Sequence, residues 1–312
     1  GTHALFSDDV EFQNLGLVIV DEQHRFGVAQ RLALKNKGCD VHQLMMSATP
    51  IPRTLAMSFF ADLDVSVIDE LPPGRTPIKT RLVNNVRRAE VEGFVLNICR
   101  KGQQAYWVCP LIEESETLQL QTATETLEQL QAALPELNIG LVHGRMKAAE
   151  KAEVMAQFAA GRLNVLVATT VIEVGVDVPN AALMVIEHAE RMGLAQLHQL
   201  RGRVGRGAAE SVCVLLFAEP LSELAKARLK VIYEHTDGFE IARQDLNIRG
   251  PGEFLGARQS GVPMLRFANL EEDLHLLEQA REIAPLLIEQ NPEIVEAHLE
   301  RWLASREGYL GV

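Results

Sequence analysis

The chain has 312 residues, with 42 acidic against 30 basic side chains for a formal net charge of −12, and is 47% hydrophobic and 23% charged. That composition excludes a disordered, collagen-like or coiled-coil chain, and the length predicts about two domains. No apolar run approaches the ~18 residues of a membrane span, and four cysteines without a CxxC pair point away from a zinc ribbon or disulfide framework and towards an intracellular protein.

The opening residues, Gly1-Thr2-His3-Ala4-Leu5, carry neither an initiator methionine nor a signal-peptide pattern, so the chain is expected to be a fragment without its N-terminal part. The first predicted strand, 16–20, runs into Asp21-Glu22-Gln23-His24. Carboxylates just beyond a buried parallel strand stand where α/β proteins bind ligands. One can hold Mg²⁺ while the other orients a water; a helix N-cap is the competing reading, because acidic residues also favour a first helical turn. The second strand, 42–46, ends at Ser47-Ala48-Thr49-Pro50, whose hydroxyls can relay hydrogen bonds from a nucleotide site or simply form a turn.

Leu71-Pro72-Pro73-Gly74-Arg75-Thr76-Pro77 holds three prolines and a glycine, and cannot continue a helix or a central strand. A domain boundary is placed there, giving domains at 1–74, 75–220 and 221–312. Beyond it, predicted strands at 104–109, 139–143, 165–169, 183–187 and 211–217 alternate with helices at 89–100, 122–134 and 147–160. Strands apolar on both faces that alternate with helices specify a parallel sheet covered on both sides, an α/β fold.

Thr169 and Thr170 lead towards Gly175 and Asp177, hydroxyls and a tight turn suited to a phosphate, although Gly175 alone also fits a plain turn. Gln199-Leu200-Arg201-Gly202-Arg203-Val204-Gly205-Arg206-Gly207 then sets three arginines among three glycines. Arg203 and Arg206 share a helix face. Their planar forks suit a triphosphate, and a solvated basic face is the alternative. After Pro220 helical periodicity takes over, with apolar faces along 271–290 and 295–303. The Gly/Pro-rich stretch with Arg249 and Gln259 reads as a surface loop able to meet phosphates or bases.

In this order the segments resemble the superfamily 2 helicases, and specifically the RecG family of branch-migration helicases. Asp21-Glu22-Gln23-His24 is similar to motif II, 47–54 to motif III, and Gly1-Thr2-His3 to motif Ib. Residues 106–110 and 142–146 resemble motifs IV and IVa, while 169–179 and 199–206 resemble motifs V and VI. The part beyond Pro220 resembles the TRG motif, a helical hairpin and loop shared with the Mfd family. Arg249-Gly250-Pro251-Gly252-Glu253 is closer to the RecG form.

The resemblance implies tandem RecA-like domains with parallel sheets, the first truncated, followed by a helical hairpin and C-terminal helices. It implies ATP and Mg²⁺ as cofactors, with Asp21 holding the metal and Glu22 positioning the attacking water. Arg203 and Arg206 would stabilise charge on the γ-phosphate, with Gln199 nearby. Gly175 and Asp177, with Ser47 and Thr49, would link the nucleotide to domain movement, and Thr2, His3, Thr169, Arg249 and Gln259 would contact DNA or couple to it. The implied partners are branched double-stranded DNA and a single-stranded-DNA-binding protein, in a monomer of the bacterial cytoplasm away from membranes. No Gly-Lys dipeptide occurs, so the phosphate-cradling loop of motif I is missing and ATP hydrolysis is expected of the full-length parent rather than of this chain. An Mfd-type transcription-repair coupling translocase and an ATP-independent DNA-binding fragment are the alternatives.

The charge fits this reading once it is divided. Residues 191–266 carry 11 basic and 8 acidic groups, whereas 111–137 carry 6 acidic and no basic groups and 267–312 carry 10 and 3. The acidic excess sits away from the predicted contacts, and exposed charges further apart than about 8 Å are largely screened at physiological salt.

Overall fold

The computed structural model describes residues 1, 3–7, 9–22, 37–38, 41–47, 64, 66–68, 70, 75, 77–109, 116–169, 178–207, 210–249 and 274–303. They belong to two compact units, Gly1–Val65 with Leu255–Val312, and Ser66–Phe254.

In the first unit β1 (Leu17–Val20) pairs in parallel with β2 (His42–Met45), Leu17 opposite His42 and Val20 opposite Met45. Side chains alternate across a strand, so Val18 and Val20 are buried against Phe6, Leu15 and Val41, while Leu17 and Ile19 are exposed on the other face. Lys37 Nζ donates to the carbonyls of Ser7 and Val10, fastening the N-terminal turn.

The second unit is built on a six-stranded sheet in the order β3-β8-β7-β4-β6-β5, every neighbouring pair parallel. Its strands are β3 (Lys79–Asn84), β4 (Gln104–Cys109), β5 (Ile139–Val142), β6 (Val165–Thr169), β7 (Ala181–Ile186) and β8 (Val212–Phe217). Between and after them come α1 (Arg88–Arg100), α2 (Glu116–Ala133), α3 (Ala148–Ala159), α4 (Leu194–Arg201), α5 (Glu223–Glu234) and α6 (Gly238–Arg249). Alternation along the strands divides the core. Tyr106, Val108, Leu166, Met184, Ile186 and Leu215 meet Phe158 of α3, Leu197 of α4, Ile232 of α5 and Ile241 of α6 on one face. On the other, Trp107, Val167, Val185 and Val214 meet Val91, Val95 and Ile98 of α1 and Leu130 of α2.

The strands expected at 104–109 and 165–169 have those limits, and the others shift by one or two residues. β3 is new: Lys-Thr-Arg-Leu-Val-Asn lacks the apolar run of its neighbours because it lies at the sheet edge, where Lys79 and Arg81 are exposed and, among the described residues, only β8 pairs with it. The compact unit also reaches past the boundary expected at 220. Leu229, Val231 and Ile232 of α5 and Ile241 of α6 are part of the core on this sheet, so α5 and α6 cannot be separated from it. Further along the chain, α7 (Leu274–Gln290) and α8 (Pro292–Leu303) follow the predicted periodicities, with Pro292 at the helix start, where a missing N–H costs nothing. No helix of the described residues is long and apolar enough to cross a membrane.

One buried polar group interrupts the second face. Trp107, wholly buried, donates its indole N–H to Glu187 Oε1 at 2.8 Å. Arg88 donates to the same oxygen, its guanidinium lying 5.0 Å from the centre of the Trp107 ring. Trp107→Phe retains most of the apolar packing but removes the indole donor to a buried carboxylate. Urea denaturation followed by circular dichroism should show a loss of about 1–3 kcal/mol, and a loss near zero would mean that Arg88 alone satisfies Glu187.

Candidate functional site

Of the predicted residues, Asp21, Glu22, Ser47 and Thr169 stand at carboxyl ends of parallel strands, whereas Gln199, Arg203 and Arg206 lie on α4 and the turn after it. In the first unit Asp21 and Glu22 follow β1 directly, and Asp21 Oδ1 accepts the Glu22 N–H at 2.8 Å. Glu22 has φ +52, the left-handed region that non-glycine residues seldom occupy. Ser47 leaves the adjacent strand at the same end, one residue after Met46, whose N–H donates to Val20 O at 2.8 Å. His3 belongs to the short turn His3–Phe6. Thr2 and Thr49 lie outside the described residues. Asp21 and Glu22 offer only hard oxygen donors, and among the described residues no group of three or more His, Cys, Asp or Glu side chains could hold a metal alone. That donor set fits Mg²⁺ bound through one or two carboxylates and completed by phosphate oxygens and water.

In the second unit β4 and β7 are neighbours, yet the helices that follow them in the chain pack on opposite faces, α2 on one and α4 on the other. Diverging connections of this kind open a crevice at the carboxyl ends of adjacent strands. Thr169 closes β6 opposite Cys109 of β4. It is 4% exposed, and its buried Oγ1 has no hydrogen-bond partner among the described residues. Burial pushes the Cys109 thiol up to about 12, which makes it an inert filler rather than a nucleophile. Gly175 and Asp177 lie outside the described residues.

The arginine-bearing segment is a helix end followed by a tight turn. α4 stops at Gly202, whose N–H returns to His198 O at 3.0 Å. Gly205 takes φ +79. At Gly207 a Cβ would come within 2.3 Å of Pro179 O, so no larger residue fits without displacing backbone. Half-buried Arg203 and exposed Arg206 project from this turn, and Gln199 stands on α4 four residues before Arg203.

Arg201 differs from the other two. It is 3% exposed and donates to Ile232 O at 2.8 Å, His235 O at 2.9 Å, Thr236 O at 3.3 Å and Thr80 Oγ1 at 3.3 Å. These include carbonyls left open at the end of α5. One of the three arginines therefore faces inward, and the alternative of a solvated basic face does not hold for it. Leu194, Leu197 and Arg201 share the buried side of α4, a spacing legible in the sequence.

Two family descriptions match this chain: the helicase conserved C-terminal domain over residues 90–208, and domain 3, C-terminal, of the ATP-dependent DNA helicase RecG over residues 235–302. The ATP-dependent DNA helicase RecG of Acidithiobacillus ferridurans is 59% identical over 309 residues. That of Escherichia coli (strain K12) is 58% identical over 314 residues. The chain belongs to the RecG family. The aligned regions cover 99% of this chain and 45% of each of these RecG proteins, so it spans about half the length of the curated relatives it matches. A solved structure of RecG bound to a three-way DNA junction matches with a TM-score of 0.67 and 51% identity, covering 89% of this chain and 35% of that one. The α/β architecture of RecA-like domains expected from the sequence is that of RecG.

Of the remaining positions drawn from the RecG resemblance, Arg249 is the last residue of α6, and Gln259 lies outside the described residues. Sequence reasoning overlooked Arg75, whose guanidinium donates to Gly202 O at 2.7 Å across 127 residues of chain, a contact that local spacing does not encode. It also overlooked Glu187, Trp107 and Arg88, each unremarkable in its own segment.

His198, packed beside Arg201 with Nδ1 at 3.1 Å from its guanidinium, is pushed down to about 4, chiefly by burial and then by the Arg201 charge. An unfolded chain protonates this histidine near pH 6.5 while the folded chain resists, so acid favours unfolding through the interval from about 6.5 down to about 4. Urea midpoints taken at about pH 7 and about pH 5 should fall, and His198→Gln should reduce that fall. An identical pH dependence in the variant would assign the effect to other groups.

Proposed function

We propose that this chain is the motor segment of an ATP-dependent DNA helicase of the RecG type, which remodels branched duplex DNA such as stalled forks and Holliday junctions in recombination and repair. The observation that carries the reading is the glycine-flanked turn bearing Arg203 and Arg206, held on a RecA-like parallel sheet. Identity of 58–59% to RecG helicases favours this over the Mfd-type alternative.

In the full-length protein Asp21 holds Mg²⁺, which when bound neutralises charge on the nucleotide phosphates, and Glu22 orients the attacking water. Arg203 and Arg206 donate to γ-phosphate oxygens as negative charge builds there, and Gln199 lies beside them. Ser47, Thr49, Thr169, Gly175 and Asp177 transmit the presence of nucleotide to the DNA-bearing surfaces. Thr2, His3, Arg249 and Gln259 contact the nucleic acid. ATP binding closes two RecA-like domains, and release after hydrolysis opens them, advancing the protein along DNA. Branched DNA as the substrate is supported by the related RecG structure bound to a three-way DNA junction. A single-stranded-DNA-binding protein is a further partner in this reading, and the setting is a monomer in the bacterial cytoplasm.

Arg203→Ala in the full-length protein should lower DNA-stimulated ATP turnover by about 10³-fold or more, with an unchanged melting temperature. Glu22→Gln should stop hydrolysis while ATP still binds. Wild-type turnover in either variant overturns the corresponding assignment.

A further inference from the structure

The turn between Gly202 and Gly207 is fixed at three places. Arg201 binds it to the end of α5, Gly207 abuts Pro179, and Arg75 holds the carbonyl of Gly202 at 2.7 Å. The third tie comes from far away in sequence, from the Pro-Pro-Gly-Arg-Thr-Pro stretch that follows the first unit. Its chemistry is specific. A helix leaves its last carbonyls without partners at the negative end of its dipole, and a guanidinium is the donor best matched to such a group. Arg75 thus acts as a C-terminal cap for α4 supplied from outside the helix. A Cβ built at Gly202 would lie 3.8 Å from Arg75 Nη2, which sets the guanidinium against the same helix end.

We propose that Arg75 is a positioning residue for ATP hydrolysis: by fixing the Gly202 carbonyl it sets the peptide plane from which Arg203 departs. This rests on the assignment of Arg203 to the γ-phosphate. The residues that surround the contact explain why the tie matters. Gly202 and Gly205 leave the backbone free to pivot, and Gly205 already uses the left-handed region at φ +79. The N–H of that same peptide, on Arg203, donates to Leu200 O at 3.0 Å, so Arg75 supplies the second of the two ties that hold the plane, and without it only the N–H side is fixed. A guanidinium that must meet a phosphate in the transition state is sensitive to displacements of about 1 Å.

The test is steady-state, DNA-stimulated ATP hydrolysis by the full-length protein as wild type, Arg75→Ala, Arg75→Lys and Arg203→Ala, with a melting temperature for each. Arg75→Ala should lower kcat about 10- to 100-fold with KM for ATP within about twofold. Arg75→Lys, which keeps one donor for one carbonyl, should recover to within about fivefold of wild type. An inactive Arg203→Ala beside an Arg75→Ala of wild-type kcat overturns the proposal. So does a raised KM at unchanged kcat, which would make Arg75 a binding residue. Equal loss in the alanine and lysine variants with a falling melting temperature would make it purely structural and overturns it too. Wild-type turnover in Arg203→Ala would instead remove the arginine assignment itself.

Discussion

A buried guanidinium cannot escape its charge, and Arg201 makes the second unit depend on that fact. Burial lowers its proton affinity, yet an arginine starting above 12 stays ionised at any pH where the protein is folded. Each buried donor must therefore find an acceptor, and the acceptors come from β3 through Thr80, from α5 and the two residues after it through the carbonyls of Ile232, His235 and Thr236, and from α4 through His198. Removing one partner would leave a charged donor without compensation, a cost of several kcal/mol for a group this deeply placed. The result is a single rigid corner from which the arginine turn starts, beside a histidine that burial, and then the Arg201 charge, keeps neutral.

The same division of labour recurs through the sheet. The middles of the strands are apolar on both faces and supply the packing, whereas the buried polar residues of the sheet sit at strand ends, Gln104 and Ser211 at amino ends and Thr169 and Glu187 at carboxyl ends. Glu187 follows β7 and accepts from Trp107 and Arg88, and Thr169 ends β6 with a hydroxyl that has no partner among the described residues. Burial there strengthens electrostatics by excluding water, so a polar group at a strand end is either fully partnered, as Glu187 is, or placed where a ligand or a neighbouring segment can reach it.

How much of this was legible in the sequence depended on whether the signal was local. β4 and β6 announced themselves because strands buried on both faces need continuous apolar runs. β3 did not, because a sheet edge is protected by charge, and Lys79 and Arg81 disguise it as a loop. The carboxylate pair after β1 and the glycine-spaced arginines were visible as motifs, since their chemistry needs those residue types close together in the chain. Arg75 and the cluster of Arg88, Trp107 and Glu187 were not, because a three-dimensional fold brings together residues that no spacing rule connects. The inward course of Arg201 lay between these cases: its helical register with Leu194 and Leu197 carried the information, but the glycine-spaced pattern pointed to Arg203 and Arg206 instead.

The strand order has a consequence for how such a chain is made. β3, the first strand of its sheet to emerge from the ribosome, pairs with β8, the last, Lys79 opposite Val212. At ordinary rates of synthesis roughly ten seconds separate the two, and during that interval β4 to β7 can assemble while β3 has no partner. An apolar strand left waiting would be open to pairing with a neighbouring nascent chain. The two cations that hide β3 from sequence inspection also keep it soluble until β8 arrives.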